Sequence, residues 1–106
     1  MAVIDNLEAM LARGQDSALL RFSLGNEYYK REEFEAGVEH LAKAVALDPT
    51  YSAAWKLYGK LLAESRRLAE AEKAYAQGIA AAEARGDIQA AKEMQVFRRR
   101  VLKRLG

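Results

Sequence analysis

Apolar residues recur along this chain at helical spacing, and the runs that carry them are cut by glycine, proline or short polar turns. Val3, Ile4, Leu7, Met10 and Leu11 mark one stripe, over about Val3 to Arg13, which stops at Gly14. Asp16 or Ser17 can cap a second helix that runs to about Arg31. A third starts among Glu32, Glu33 and Glu35, acids that suit the positive end of a helix dipole. It ends before Asp48-Pro49, because proline disfavours helical geometry in the residue ahead of it. The fourth runs from about Ser52 to Ser65 and the fifth from about Leu68 to Arg85, and Gly86 separates the fifth from a last helix, about Asp87 to Leu105. The pattern predicts an all-α fold of about six helices. No linker is long enough to divide the chain, so residues 1–106 read as one domain.

Two stretches match each other at an offset of 34 residues: Leu24-Gly25 returns as Tyr58-Gly59, Tyr28 as Leu62, Phe34 as Leu68, Leu41 as Tyr75 and Val45 as Ile79. A fixed period of this length means stacked helical hairpins, each unable to bury its apolar face without a neighbour. It divides the chain into an N-terminal capping helix (3–13), two repeats (18–51 and 52–85) and a C-terminal capping helix (87–105). The first helix keeps the register, since Leu7 falls on Leu41, Leu11 on Val45 and Ala12 on Ala46. The last fits it poorly, because Lys92-Glu93 would fall on Tyr58-Gly59, where close packing wants an apolar residue and a glycine. Gly25 and Gly59 sit mid-helix at roughly 1 kcal/mol each against alanine, a cost tolerated where another helix must approach closely.

The period and its residues resemble the tetratricopeptide repeat, whose signature is W-x2-L-G-x2-Y, then A-x3-F, then P. The first copy has Arg21, Leu24, Gly25 and Tyr28, then Gly37 and Leu41, then Pro49; the second has Trp55, Tyr58, Gly59 and Leu62, then Ala71 and Tyr75. The first lacks the tryptophan and the second the closing proline. The resemblance implies a right-handed superhelical solenoid of antiparallel helix pairs, with a concave groove lined by the first helix of each pair. It also implies a role in binding proteins or peptides.

That geometry would place Leu19, Phe22, Asn26 and Tyr29 on the concave face, beside Ala53, Lys56, Lys60 and Ala63 from the next pair, each 34 residues on. Phe22, Asn26 and Tyr29 form a single stripe at i, i+4 and i+7. Lys56 and Lys60, adjacent ammonium groups beside a carboxamide, would seat a carboxylate or an acidic segment, with Phe22 and Tyr29 as apolar anchors. The plainer reading makes the lysines solvated charges and the aromatics part of the core. Some members of the family grip the C-terminal carboxylate of heat-shock chaperones with lysines, asparagines and an arginine. Asn26 fits that clamp, but Phe22, Leu57, Asp87 and Ala91 depart from it.

Charge sharpens the picture at one end. Residues 1–86 hold 11 basic and 13 acidic side chains, whereas residues 87–106 hold six and two, so the formal charge of +2 comes from the last helix. There Val96, Arg99, Arg100, Lys103 and Arg104 share one side, opposite Ala91, Met94, Val101 and Leu105, with Arg98 intruding. Such a run can contact nucleic-acid phosphate or acidic lipid. No base-reading motif accompanies it, and a solvated face complementing the helix dipole is the preferred reading.

The chain has no cysteine, which excludes thiolate chemistry and suits a reducing, cytoplasmic compartment. It has no apolar run of the roughly 20 residues that span a bilayer, and its start does not read as a signal peptide. His40, the single histidine, has no partner spaced for metal or base chemistry, and no phosphate-binding glycine loop is present. We therefore expect no catalytic residues, no metal and no cofactor. The expected function is a non-enzymatic module that holds a protein or peptide segment, of acidic or C-terminal carboxylate character, in its groove. Two rivals stand behind it. One is a structural, self-associating subunit, in which Val3, Ile4, Phe97 and Leu102 would serve a homodimer; the other, more remote, is a nucleic-acid accessory protein acting through the basic helix.

Overall fold

In the computed structural model, which describes residues 2–106, the apolar stripes form six α-helices. These are α1 (Val3–Ala12), α2 (Ala18–Lys30), α3 (Phe34–Leu47), α4 (Ser52–Glu64), α5 (Leu68–Ala84) and α6 (Ile88–Leu105). Of the two candidate caps before α2, Ser17 does the capping. Its hydroxyl accepts the Leu20 N–H at 3.1 Å, while Asp16 is turned to the Arg21 guanidinium. α3 ends in an extended Asp48 ahead of Pro49, and the Asp48 carboxylate accepts from the backbone N–H and hydroxyl of Thr50. Those two bonds hold its pKa below the ordinary carboxylate value.

Four helices end in one recurring motif. The N–H groups of Gln15, Glu33, Arg67 and Asp87 bond back to the carbonyls of Met10, Tyr28, Leu62 and Ala82. The residue before each donor lies in the left-handed region, as a Schellman closure requires. Gly14 and Gly86 fill that position at the outer joints, but Glu32 (φ 58°) and Arg66 (φ 61°) fill it at the inner two. Glu32 thus closes α2 rather than opening α3, and of the three glutamates only Glu35 lies in the first turn of α3.

Connections of three to five residues reverse the chain between helices. Each helix packs on the next, and α4 also touches α2 and α6. The molecule measures 41 × 29 × 18 Å, and its thin dimension is two helix layers at 8–10 Å spacing. Leu24, Leu41, Leu61, Leu62 and Met94 are wholly buried between the layers. The mid-helix glycines admit these neighbours. A methyl on Gly25 would overlap the Leu41 side chain, and one on Gly59 would lie 2.6 Å from Cζ of Tyr75.

The poor fit of the last helix has a simple cause. α5 has 17 residues where α3 has 14, so α6 begins 36 residues after Ser52, whereas Ser52 begins 34 after Ala18. Displaced by two residues, α6 turns Ala90, Ala91, Met94 and Val101 into the core, and Met94 packs into the space that Gly78 leaves. Leu105, grouped by sequence with that buried side, is the last residue of α6 and is exposed. Ile4 is buried and Phe97 packs on Tyr75, so of the four residues offered for a homodimer only Val3 and Leu102 are exposed.

Candidate functional site

α2, α4 and α6 lie side by side on one face, and the candidate groove residues divide there by their contacts. Leu19 is 64% exposed, and Asn26 is half-buried between Phe22 and Tyr29 along α2. The aromatics are not free stripes. The Phe22 ring rests on Tyr51 at 5.1 Å and the Tyr29 ring on Phe34 at 5.9 Å, so each is half-buried and offers one side outward.

The two lysines part company. The Lys56 ammonium donates to Glu93 of α6 at 2.9 Å and is neutralised there. That hydrogen bond and the lysine's charge hold the Glu93 pKa below its ordinary value, with a lesser contribution from the charge of Lys60. Lys60 instead lies over two rings, 6.0 Å from the centre of Tyr29 and 5.5 Å from that of Phe97. The Arg100 guanidinium lies 5.7 Å from the centre of the same Phe97 ring. These groups, with Tyr75 and Arg104, line a cavity of about 270 Å³.

The basic run of α6 is thereby split. Arg98 is tied to Glu72 on α5 at 2.7 Å, Arg100 and Arg104 face the cavity with Lys60, and Arg99 and Lys103 are exposed outside it. The sequence pattern set Lys60 and the arginines in separate candidate sites and assigned Phe97 to a dimer surface. The spacing of Phe97, Arg100 and Arg104, at i, i+3 and i+7, was the available signal, but the two-residue displacement of α6 hid which helix face it occupies.

Two other features bound what this face can do. Leu57 is buried and Asp87 caps α6, accepting the Ala90 N–H at 3.2 Å and the Ser52 hydroxyl at 3.1 Å, so neither is available to grip a ligand. A wider hollow of about 560 Å³ at the α2–α3 turn is rimmed by Glu32, Glu33 and Glu35, of which Glu33 pairs with Arg31 and Glu35 with Arg67. Among the described residues no three histidine, cysteine or acidic side chains converge as metal ligands, and no helix is long and apolar enough to cross a membrane.

His40 lies away from this face, in a polar network that ties α1 to α2 and α3. Arg21, which can only donate, lies 3.2 Å from its Nδ1, so that atom is the acceptor and Nε2 carries the proton, facing Glu8 at 3.5 Å. Tyr28 stacks on the imidazole and donates its hydroxyl to the same Glu8 at 3.0 Å. Burial pushes the His40 pKa below 6.5, opposed by Glu8 and reinforced by Arg21.

Comparison with known proteins agrees with this architecture. The family model for the tetratricopeptide repeat matches residues 28–94. TPR repeat-containing protein PA0015 of Pseudomonas aeruginosa is 50% identical over 99 residues, covering 93% of this chain and 94% of its own. The solution structure of protein BPP2914 from Bordetella parapertussis superposes with a TM-score of 0.82 at 49% identity, over 98% of this chain and 90% of that one. A tetratricopeptide repeat domain protein from Salinibacter ruber gives 0.74 at 26% identity, over 81% and 87%. With its 34-residue register, its packing glycines, its pairwise helices and these matches, the chain belongs to the tetratricopeptide repeat family.

Proposed function

We propose that this protein is a non-enzymatic interaction module that holds a segment of a partner protein across α2, α4 and α6. Membership of the family implies a protein partner in general terms. The observation that carries the finer reading is the row of half-buried rings, Phe22, Tyr29 and Phe97, presented along one face with Lys60 between the last two. Rings already fixed by packing lose little freedom when a partner docks, which makes them effective anchors. Leu19, Asn26 and Lys56 complete the face, Lys56 as half of a salt bridge rather than as a free cation. The lack of cysteine favours a cytoplasmic setting.

The test is affinity capture from native lysate, read by mass spectrometry, with wild-type bait beside a Tyr29→Ala/Lys60→Glu variant. Lys56 is left intact, because replacing it would remove the salt bridge to Glu93 that joins α4 to α6. A protein retained by the wild type and lost by the folded variant supports the groove. Equal retention by both baits sinks it.

A further inference from the structure

We infer that the Lys60–Phe97–Arg100 pocket is a seat for the carboxylate of an internal aspartate or glutamate side chain in an acidic, partly apolar partner segment. This rests on the groove reading and gives it a ligand chemistry. Two cations sit on a single ring, Lys60 at 5.5 Å and Arg100 at 5.7 Å from the centre of Phe97, and Arg104 lines the same cavity. Of its basic neighbours, Lys56 is compensated by Glu93 and Arg98 by Glu72, whereas Arg99 and Lys103, outside the cavity, form no ion pair among the described residues. Lys60, Arg100 and Arg104 form no ion pair among the described residues, and Glu64 is the one carboxylate lining the cavity. An anion placed there would meet the two cations that share the Phe97 ring, with Arg104 on the same rim.

The helix dipole accounts for Arg104 in the last turn of α6 but not for Arg100, which lies further in than that effect reaches. At about 270 Å³ the cavity is smaller than the pockets that enclose whole cofactors or drug-sized ligands, and it suits one anchoring side chain. The segment reads as an internal one because the aromatic row continues past the pocket through Tyr29 to Phe22, and because the positions that would clamp a chain terminus hold the buried Leu57 and the capping Asp87.

The probe is an acetylated, amidated heptapeptide with two central glutamates between leucine and phenylalanine. Beside it run its glutamine counterpart and that counterpart with a free C-terminal carboxylate, all followed by fluorescence polarisation and by amide and aromatic NMR shifts. The glutamate peptide is expected to bind and to move Tyr29 and Phe97 resonances, with the glutamine peptide at least about tenfold weaker. Lys60→Glu and Arg100→Glu should each weaken it by a similar factor, while Arg99→Glu, the same charge change outside the cavity, leaves it within about twofold. The inference falls if no peptide binds, if the glutamine peptide binds equally, if the free carboxylate is preferred, or if Arg99→Glu is as harmful as Arg100→Glu. The groove reading has a separate readout. A captured partner lost on Phe22→Ala but kept on Arg100→Glu leaves the groove in place and removes the acidic specificity.

Discussion

The two copies of the repeat use the same three positions in opposite ways. In the second copy Trp55, Leu62 and Ala74 are all buried. Their counterparts 34 residues earlier are Arg21, Tyr28 and His40, half-buried members of a polar network that ends on Glu8. The backbone architecture is the same, with Gly25 against Leu41 in one copy and Gly59 against Tyr75 in the other. What differs is the neighbour. The second copy is flanked on both sides by long helices that exclude water, whereas the first is flanked by α1, which has ten residues and buries Ile4 alone. A short capping helix offers little apolar area, so hydrogen bonds and charge secure it in place of burial.

Trp55 and Arg21 give the comparison its largest test. Trp55→Ala removes a buried indole and its hydrogen bond to the Pro49 carbonyl, and should cost about 3–5 kcal/mol in urea unfolding. Arg21→Ala should cost clearly less, because its Asp16 partner is solvated and the freed imidazole nitrogen can turn to water. Equal losses would mean that the polar network holds the first copy as firmly as the core holds the second.

The glycines come next. Gly59→Ala drives a methyl into the rigid Tyr75 ring and should destabilise by about 1–3 kcal/mol, despite alanine's better helix propensity. Gly25→Ala meets the end of the Leu41 side chain, which can change rotamer, and should cost less. Thermal denaturation of the two variants decides the order, and the reverse order would show that Leu41 is the less adaptable neighbour.

What was legible in the sequence follows from the same physics. Helix limits, the 34-residue register and the packing glycines are written in local pattern, because caps, turns and close approach each demand particular residues. The polar network was not, since nothing in the spacing of Glu8, Arg21, Tyr28 and His40 announces that α1 brings them together. The proposed groove was half legible. Its α2 and α4 positions follow from the repeat, but α5 is three residues longer than α3, and the resulting displacement of α6 sets Glu93 against Lys56 and the Phe97 ring, with Arg100, against Lys60.

A smaller effect isolates one bond of the network. Tyr28→Phe keeps the ring stacked on His40 and removes only the hydroxyl that donates to Glu8, so a loss of about 1 kcal/mol is expected. Hydrogen exchange should place that loss in the amides of α1, leaving α4 and α5 protected. A loss spread evenly over the chain would mean that α1 folds and unfolds as one unit with the repeats.

The smallest effect is a shallow pH dependence confined to the first copy. His40 faces Glu8 from α1, Arg21 and Tyr28 from α2 and Glu39 on its own helix, and the balance of burial and charge lowers its pKa from 6.5. Above 6.5 the imidazole is neutral in both folded and unfolded chains and stability is unaffected. As pH falls below 6.5 the unfolded chain takes up a proton that the folded chain resists, so stability declines until the lowered native pKa is passed. The protonated ring also loses the acceptor that Arg21 uses, and it gains charge beside that guanidinium. Exchange of α1 amides should therefore quicken between pH 6.5 and 5, once corrected for the intrinsic rate, with little change in α4 and α5. His40→Gln keeps an acceptor for Arg21 and a donor for Glu8 but cannot titrate, so it should flatten that dependence. A dependence that survives in the glutamine variant would overturn the assignment of this pH response to His40.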